Sequence, residues 1–374
     1  RSHLILQTRN QSITAYTADL GQEINQWFHT GIAIRFGYSF QKFETIFYNY
    51  LMYKNHVNGK IKCIFEIDIV QNGKDRQTVV AGEHLTESFS KCLKNHVLRP
   101  TIKLDGTSCY VAKFNGKSWL YARHDVKPNK MVSRKYKQYQ KNYGLKKEGF
   151  VWNLETDYNF PKNWIAAHNN PFDGSMCSKP IPAENGHLVG WVPVDPSVRT
   201  HLWHLSAVDL IGGFFLCLNE NAEDESLIAQ IALLDDYLGA TFELIGTKVN
   251  GNPYDIGTSN FPVHFYVQHG ELSLKNPPEI SKKELSNWFV QQKDGLVEGI
   301  VWHGPDGNMF KIHRHHLGLP WPVKNLPFSN RTVYIDCNGY ACAENVLLNK
   351  IVIYSGKTFD KIKNLFNDEP YNFS

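Results

Sequence analysis

Between Thr101 and Asp125 the chain reads TIKLDGTSCYVAKFNGKSWLYARHD, short apolar runs broken by Asp105-Gly106 and Asn115-Gly116. This pattern constrains the fold more than any other, because Asp-Gly and Asn-Gly suit the positive φ angles of tight hairpin turns. It predicts strands that turn at both dipeptides. KCIFEIDIV alternates and is β-branched, which predicts another strand, and Asn72-Gly73 after it marks a turn. GHLVGWVPV, TFELIGTKV, VHFYVQ and EGIVWH read the same way.

Helical signals are fewer. Phe40, Phe43, Phe47 and Leu51 fall on one helical face, and so do Leu227, Ile231, Leu234 and Leu238 in DESLIAQIALLDDYL, with Gly239 as a stop. SKKELSNWFV predicts a short helix with a serine cap and a glutamate three residues on. Together these give a mixed, mainly antiparallel α+β protein. With 374 residues, 42% of them hydrophobic, the chain can bury a substantial core. A net charge of +4 is compatible with a polyanionic partner without demanding one.

Seven scattered cysteines with no CxxC pair argue for free thiols rather than a disulfide framework or a structural zinc site. The most apolar run, LIGGFFLCL, is too short to cross a bilayer. The expectation is an intracellular protein, cytoplasmic or nuclear, with no membrane partner. From Lys127 to Lys147 the chain carries eight basic residues, no acid and three tyrosines. This stretch reads either as a solvated basic segment or as an RNA contact, with lysines on phosphates and tyrosines on bases.

Four stretches carry the chemistry in order: KLDGT with Lys103, FELIG with Glu243, EGIVWH with Glu298, and MFKIHRHH with Lys311. That order resembles the covalent nucleotidyltransferase superfamily of ATP-dependent ligases and mRNA capping enzymes, whose nucleophile motif is Lys-x-Asp-Gly. KLDGTSCYV, ARHDVKPNK, ENGHLVGWVPV, FELIGTKVNGNPYD, VEGIVWH and KIHRHHLGLPWP are similar, more specifically, to the vertebrate-type 5′–3′ RNA ligases over roughly residues 60–325. The resemblance implies a nucleotidyltransferase, ATP-grasp-like ligase fold of antiparallel sheets with flanking helices. It places an accessory, partly helical segment at 1–58, the adenylation domain at 59–330 and an extension at 331–374. The residues left after HLGLPWP are few for an oligonucleotide-binding barrel, so none is expected.

The activity implied is joining of RNA 5′-phosphate and 3′-hydroxyl ends through a lysyl-AMP intermediate, using ATP and Mg2+ or Mn2+. Lys103 would be the nucleophile; its amine attacks only when unprotonated, so the site is expected to depress a pKa that is ordinarily about 10.4. By resemblance Arg123 contacts ribose or phosphate, the alternative being a surface arginine paired with Asp125. Glu243 accepts a bond from the ribose 2′-hydroxyl, and Glu298 binds or positions the metal. Lys311 neutralises α-phosphate charge. Phe265 stacks on adenine, with Tyr266 the rival and a plain core phenylalanine the other reading.

Many ligases have Lys-x-Lys where this chain has Lys311-Ile312-His313, which leaves a phosphate contact by His313 open. His315 and His316 are expected on opposite faces of the same strand. The rival functions are a DNA ligase or capping-type guanylyltransferase using the same lysine, and a non-catalytic RNA-binding protein on a ligase scaffold.

Overall fold

The computed structural model describes residues 59–71, 77–143, 149–167, 179–337 and 345–366. The aromatic helix expected at 40–51 and the Asn72-Gly73 turn lie outside these. In chain order the strands begin with β1 (Lys62–Cys63), β2 (Phe65–Gln71), β3 (Gln77–Leu85), β4 (Arg99–Lys103), β5 (Thr107–Phe114) and β6 (Lys117–Arg123). They continue with β7 (Ile165–Ala166), β8 (Gly190–Pro193), β9 (Val208–Asp209), β10 (Phe214–Glu220), β11 (Leu227–Leu233) and β12 (Thr241–Gly246). The last are β13 (His264–Gln268), β14 (Gly299–His303), β15 (Met309–His313), β16 (Val333–Asp336) and β17 (Thr358–Phe359). The longer helices are α1 (Glu87–Asn95), α2 (Lys130–Tyr143), α3 (Lys282–Gln291) and α4 (Val346–Ile353). The protein is α+β, with large, mostly antiparallel sheets and few helices.

Two sheets matter for function. A four-stranded sheet runs β1-β15-β14-β4, and a larger one runs β17-β16-β11-β10-β13-β12-β5-β6-β8-β7 with β9 attached to β10; β2 and β3 form a separate ribbon. In the small sheet Ile102, Ile300 and Ile312 point into an apolar core shared with Phe89, Leu285 and Phe289. Helix α1 is held there because the Thr86 hydroxyl accepts from Phe89 N at 3.3 Å, and Phe89 packs edge-on against Trp302 and Phe310. Burying that one ring stabilises the layer by about 2–3 kcal/mol. Helix α3 starts as expected, with the Ser281 hydroxyl accepting from Glu284 N at 3.1 Å.

Asn115-Gly116 makes the expected hairpin between β5 and β6, both residues having positive φ, 50° and 79°. Asp105-Gly106 does not. The strands on its two sides belong to different sheets, so Leu104-Asp105-Gly106 crosses from one to the other. Gly106 is required by proximity: a Cβ there would press on the Leu244 carbonyl oxygen and lie 2.9 Å from Glu243 Cγ.

The stretch from Asp224 is also corrected. It forms strand β11 and then a 3-10 turn over Leu234–Tyr237 rather than a helix. Leu227 and Ala229 are buried on one face of β11, between antiparallel β10 and parallel β16. Spacing by two and spacing by four coincide at Leu227 and Ile231, and backbone pairing on both sides decides between them. Residues beyond 330 supply β16, β17 and α4, and Val333, Ile335, Leu348 and Ile351 join the core of the large sheet. Cys63, Cys92, Cys109, Cys217 and Cys337 are buried free thiols; Cys177 and Cys342 lie outside the described residues. No described helix is long and apolar enough to cross a membrane.

Candidate active site

Lys103 ends β4 at the junction of the two sheets. Across the small sheet it lies opposite Gly299, which lies opposite His313; the next row is Thr101, Val301 and Lys311. Residues two apart on a strand share a face, so Lys103, Lys311 and His313 occupy one face and the isoleucines the other. Glu298, just before β14, reaches Lys103 Nζ with Oε2 at 2.6 Å. Both side chains are largely shielded, 24% and 13% exposed.

The lysine is not depressed as expected. Burial works to lower its pKa, but Glu298 first, then Glu243 and Asp105, more than offset it, and the amine sits above its ordinary value. Burial outweighs the Lys103 charge at Glu298 and pushes that carboxyl up to about 7. Lys311 moves the other way, lowered by burial and then by the Lys103 charge.

The turn after Lys103 is clamped. Asp105 accepts from Trp321 Nε1 and from Asn250 Nδ2, each at 2.7 Å, and its backbone N donates to the buried Tyr254 hydroxyl at 2.7 Å. Asn250 also bonds the Gly106 carbonyl oxygen at 2.5 Å, from a backbone with φ of 44°. These three residues lie within the ligase-like phrases FELIGTKVNGNPYD and KIHRHHLGLPWP, the only sequence signal that could have marked them.

On the large sheet Glu243 of β12 faces Ser108 of β5 in register. Its Oε2 accepts from Ser108 Oγ at 3.1 Å and from His269 Nε2 at 2.9 Å. His269 Nδ1 lies 2.9 Å from the Thr241 hydroxyl, which orients the ring. Burial tends to raise Glu243, yet the His269 bond and charge, with Lys103 and Ser108, bring it below its ordinary value. His269 had no signal in the sequence.

A family model described as RNA ligase 1 matches residues 52–368. The chain belongs to the RNA ligase 1 family. Proteins named RNA ligase 1 are similar to it in Danio rerio, 38% identical over 321 residues, which is 83% of this chain and 97% of the relative. Those of Rattus norvegicus and Pongo abelii are 36% and 35% identical, each over 83% of this chain and 98% of the relative. As a member of the RNA ligase 1 family the chain is an enzyme.

The remaining expected site residues of this RNA ligase 1 member fall as follows. Arg123, at the end of β6, donates from Nε to Asp125 at 2.6 Å and lies over the Trp191 ring, 5.1 Å from its centroid. Phe265 faces Ile245 across β13 and β12, on the Glu243 side of the sheet, and is fully buried. Tyr266 points to the opposite side, and its hydroxyl donates to the His204 carbonyl at 2.7 Å. The pattern Lys311-x-His313 does put both side chains on the Lys103 face. His313 stacks on His316 with ring centroids 3.6 Å apart; burial, then His316, pushes it down to about 2. The strand ends at His313, and Arg314–Leu317 is a 3-10 turn, so His315 and His316 do not lie on a strand as expected, although His315 is exposed and His316 buried. Arg314 fixes that turn by donating to the Phe289, Gly295 and Pro320 carbonyls at 2.8–2.9 Å.

Among the described residues no three His, Cys, Asp or Glu side chains converge into a metal-binding group. Asp105 and Glu243 are engaged by neighbours, and Glu298 is the carboxylate beside the lysine. Magnesium commonly takes one or two protein carboxylates and completes its shell with phosphate and water, a mode that Glu298 fits.

Proposed function

We propose that this protein joins an RNA 5′-phosphate to a 3′-hydroxyl through AMP carried on Lys103, with ATP as the adenylyl donor and Mg2+ or Mn2+ as the ion. The observation that carries this reading is the Lys103–Glu298 pair at 2.6 Å, on the same sheet face as Lys311. The nucleotidyltransferase fold of antiparallel sheets belongs to the same reading.

Lys103 Nζ must give up a proton before it attacks. Glu298, pushed up to about 7, is placed to hold that proton at Oε2. The freed lone pair forms an N–P bond to the α-phosphorus of ATP while the P–O bond to pyrophosphate breaks. Once Glu298 has passed that proton to solvent, its carboxylate would hold a divalent ion, which would supply charge neutralisation to the phosphates. Lys311 neutralises charge on the α-phosphate, and His313 lies on the same sheet face as a further donor. Glu243, ionised and fixed by Ser108 and His269, accepts from a ribose hydroxyl, Phe265 lies toward the base and Arg123 toward ribose or phosphate. An RNA 5′-phosphate oxygen next attacks the carried AMP, breaking the N–P bond and returning the amine. A 3′-hydroxyl then attacks the adenylated 5′ end, and AMP leaves.

Intact-mass spectrometry with ATP and magnesium, beside Lys103→Ala, tests this. One added AMP on the parent and none on the variant is expected, followed by joining of 5′-phosphorylated RNA. If the parent gains no AMP and none is attached after purification, the proposal fails and a non-catalytic scaffold takes its place.

A further inference from the structure

Helix α2 carries Lys130, Arg134, Lys135, Lys137 and Lys141, all exposed, and no acidic residue. Lys130, Arg134, Lys137 and Lys141 follow at steps of four, three and four, which makes one stripe about 17 Å long. Neighbours at such steps repel, and Lys130 in the first turn opposes the helix dipole. None of the five is ion-paired within the described residues. The helix by itself gains nothing from this arrangement, and a polyanion laid along it reverses the sign of every term.

The helix is rigidly mounted. Asn129 Oδ1 accepts from Val132 N at 3.0 Å, and Tyr136 and Gln140 both donate to the Glu184 carbonyl, at 2.9 and 3.1 Å. The buried position of Tyr136 removes it from the tyrosines that were expected to stack on bases. From Tyr136 a row of rings, Phe150, Trp152, Tyr158, Phe160 and Trp164, runs in successive contact, with centroids 4.6–6.2 Å apart. Phe160 is 42% exposed. Trp164 Nε1 donates to the His124 carbonyl at 2.9 Å, so the row ends beside Arg123.

We propose that α2 and this aromatic row are the docking surface for single-stranded RNA, with phosphates along the lysine–arginine stripe and a base on Phe160. The inference rests on the ligase reading above, since it supplies the end on which Lys103 acts. Charge along the backbone and stacking beside it are the two features by which single strands are held without sequence readout.

The test uses the whole chain, with the triple variant Arg134→Gln, Lys137→Gln, Lys141→Gln and the single variant Phe160→Ala. Binding of a 5′-phosphorylated single-stranded RNA is measured by fluorescence anisotropy across a salt series without ATP. AMP attachment to Lys103 is measured separately without RNA. Each lost phosphate contact removes about 0.7 from the slope of log K against log salt, so the triple variant should lose about 2 in slope. The same count predicts affinity lower by roughly a hundredfold at 0.1 M salt. Phe160→Ala should weaken binding about fivefold or more at unchanged slope. Both variants should take up AMP at the parental rate. Unchanged affinity and slope in the triple variant overturn the docking surface, whatever the adenylation result, and leave the helix to an acidic protein partner. A parent that takes up no AMP, with RNA binding still lost in the triple variant, keeps the docking surface and refutes the ligase chemistry instead.

Discussion

Lys103 Nζ and Glu298 Oε2 lie 2.6 Å apart although 195 residues separate them in the chain. Burial works to lower the pKa of that amine, and Glu298, ahead of Glu243 and Asp105, more than offsets it from direct contact.

Glu298→Gln should show both halves of that arrangement. With the carboxylate gone, burial is opposed only by Glu243 and Asp105, so the amine pKa falls, and each unit is about a tenfold gain in free amine. Labelling of Lys103 at pH 7.5 by an amine-acylating reagent, read by mass spectrometry, should quicken by about tenfold or more. AMP attachment should slow by at least about a hundredfold, since a general acid–base group commonly contributes that much. Labelling no faster than in the parent would contradict the assignment.

Gly106→Ala should be poorly tolerated. The added methyl presses on the Leu244 carbonyl and Glu243, neither of which can retreat from the sheet. Overpacking of this kind costs about 1–3 kcal/mol. Urea denaturation should show that loss, and the displaced Glu243 should weaken ATP binding; full stability in the variant would show that the crossing can yield.

Trp321→Phe leaves Asp105 with one fewer donor. A hydrogen bond to a charged group contributes about 1.5–3 kcal/mol, and the residue it fixes lies two positions from Lys103. Stability should fall by about that amount, with slower AMP attachment at saturating ATP. The same destabilisation with an unaltered adenylation rate would limit Trp321 to a structural role.

Acid should unfold the protein early. Burial holds His204 and His264 down to about 4 and His303 down to about 3, against an ordinary 6.5. Their folded pKa values are depressed, so the unfolded chain binds protons first and stability falls as pH drops from about 6.5 toward 4. Each group should cost about 1 kcal/mol by pH 5.5, roughly 3–4 kcal/mol for the three together. Urea titrations at pH 7.5 and 5.5 measure this, and replacing His303 with Gln should flatten the dependence by one proton.

Much of the local structure was legible. Asn115-Gly116 turns where its φ preference says it should, and Ser281 caps its helix, because both depend on residues within three or four positions. Asp105-Gly106 misled, since its glycine serves a close approach to Leu244 and Glu243 rather than a positive φ. Leu227 to Leu238 misled because its apolar spacing suits helix and strand alike, and the partners that choose strand, β10 and β16, are set by the whole sheet.

The sequence by itself determined the chemistry available: a lysine that can lose its proton where an arginine cannot, hard carboxylates, and a basic segment without acids. Only the tertiary structure decided which carboxylate meets Lys103, which donors hold Asp105, and that His269 fixes Glu243. Those contacts join residues from distant strands, and their partners follow from sheet register and packing, which no short stretch of sequence contains.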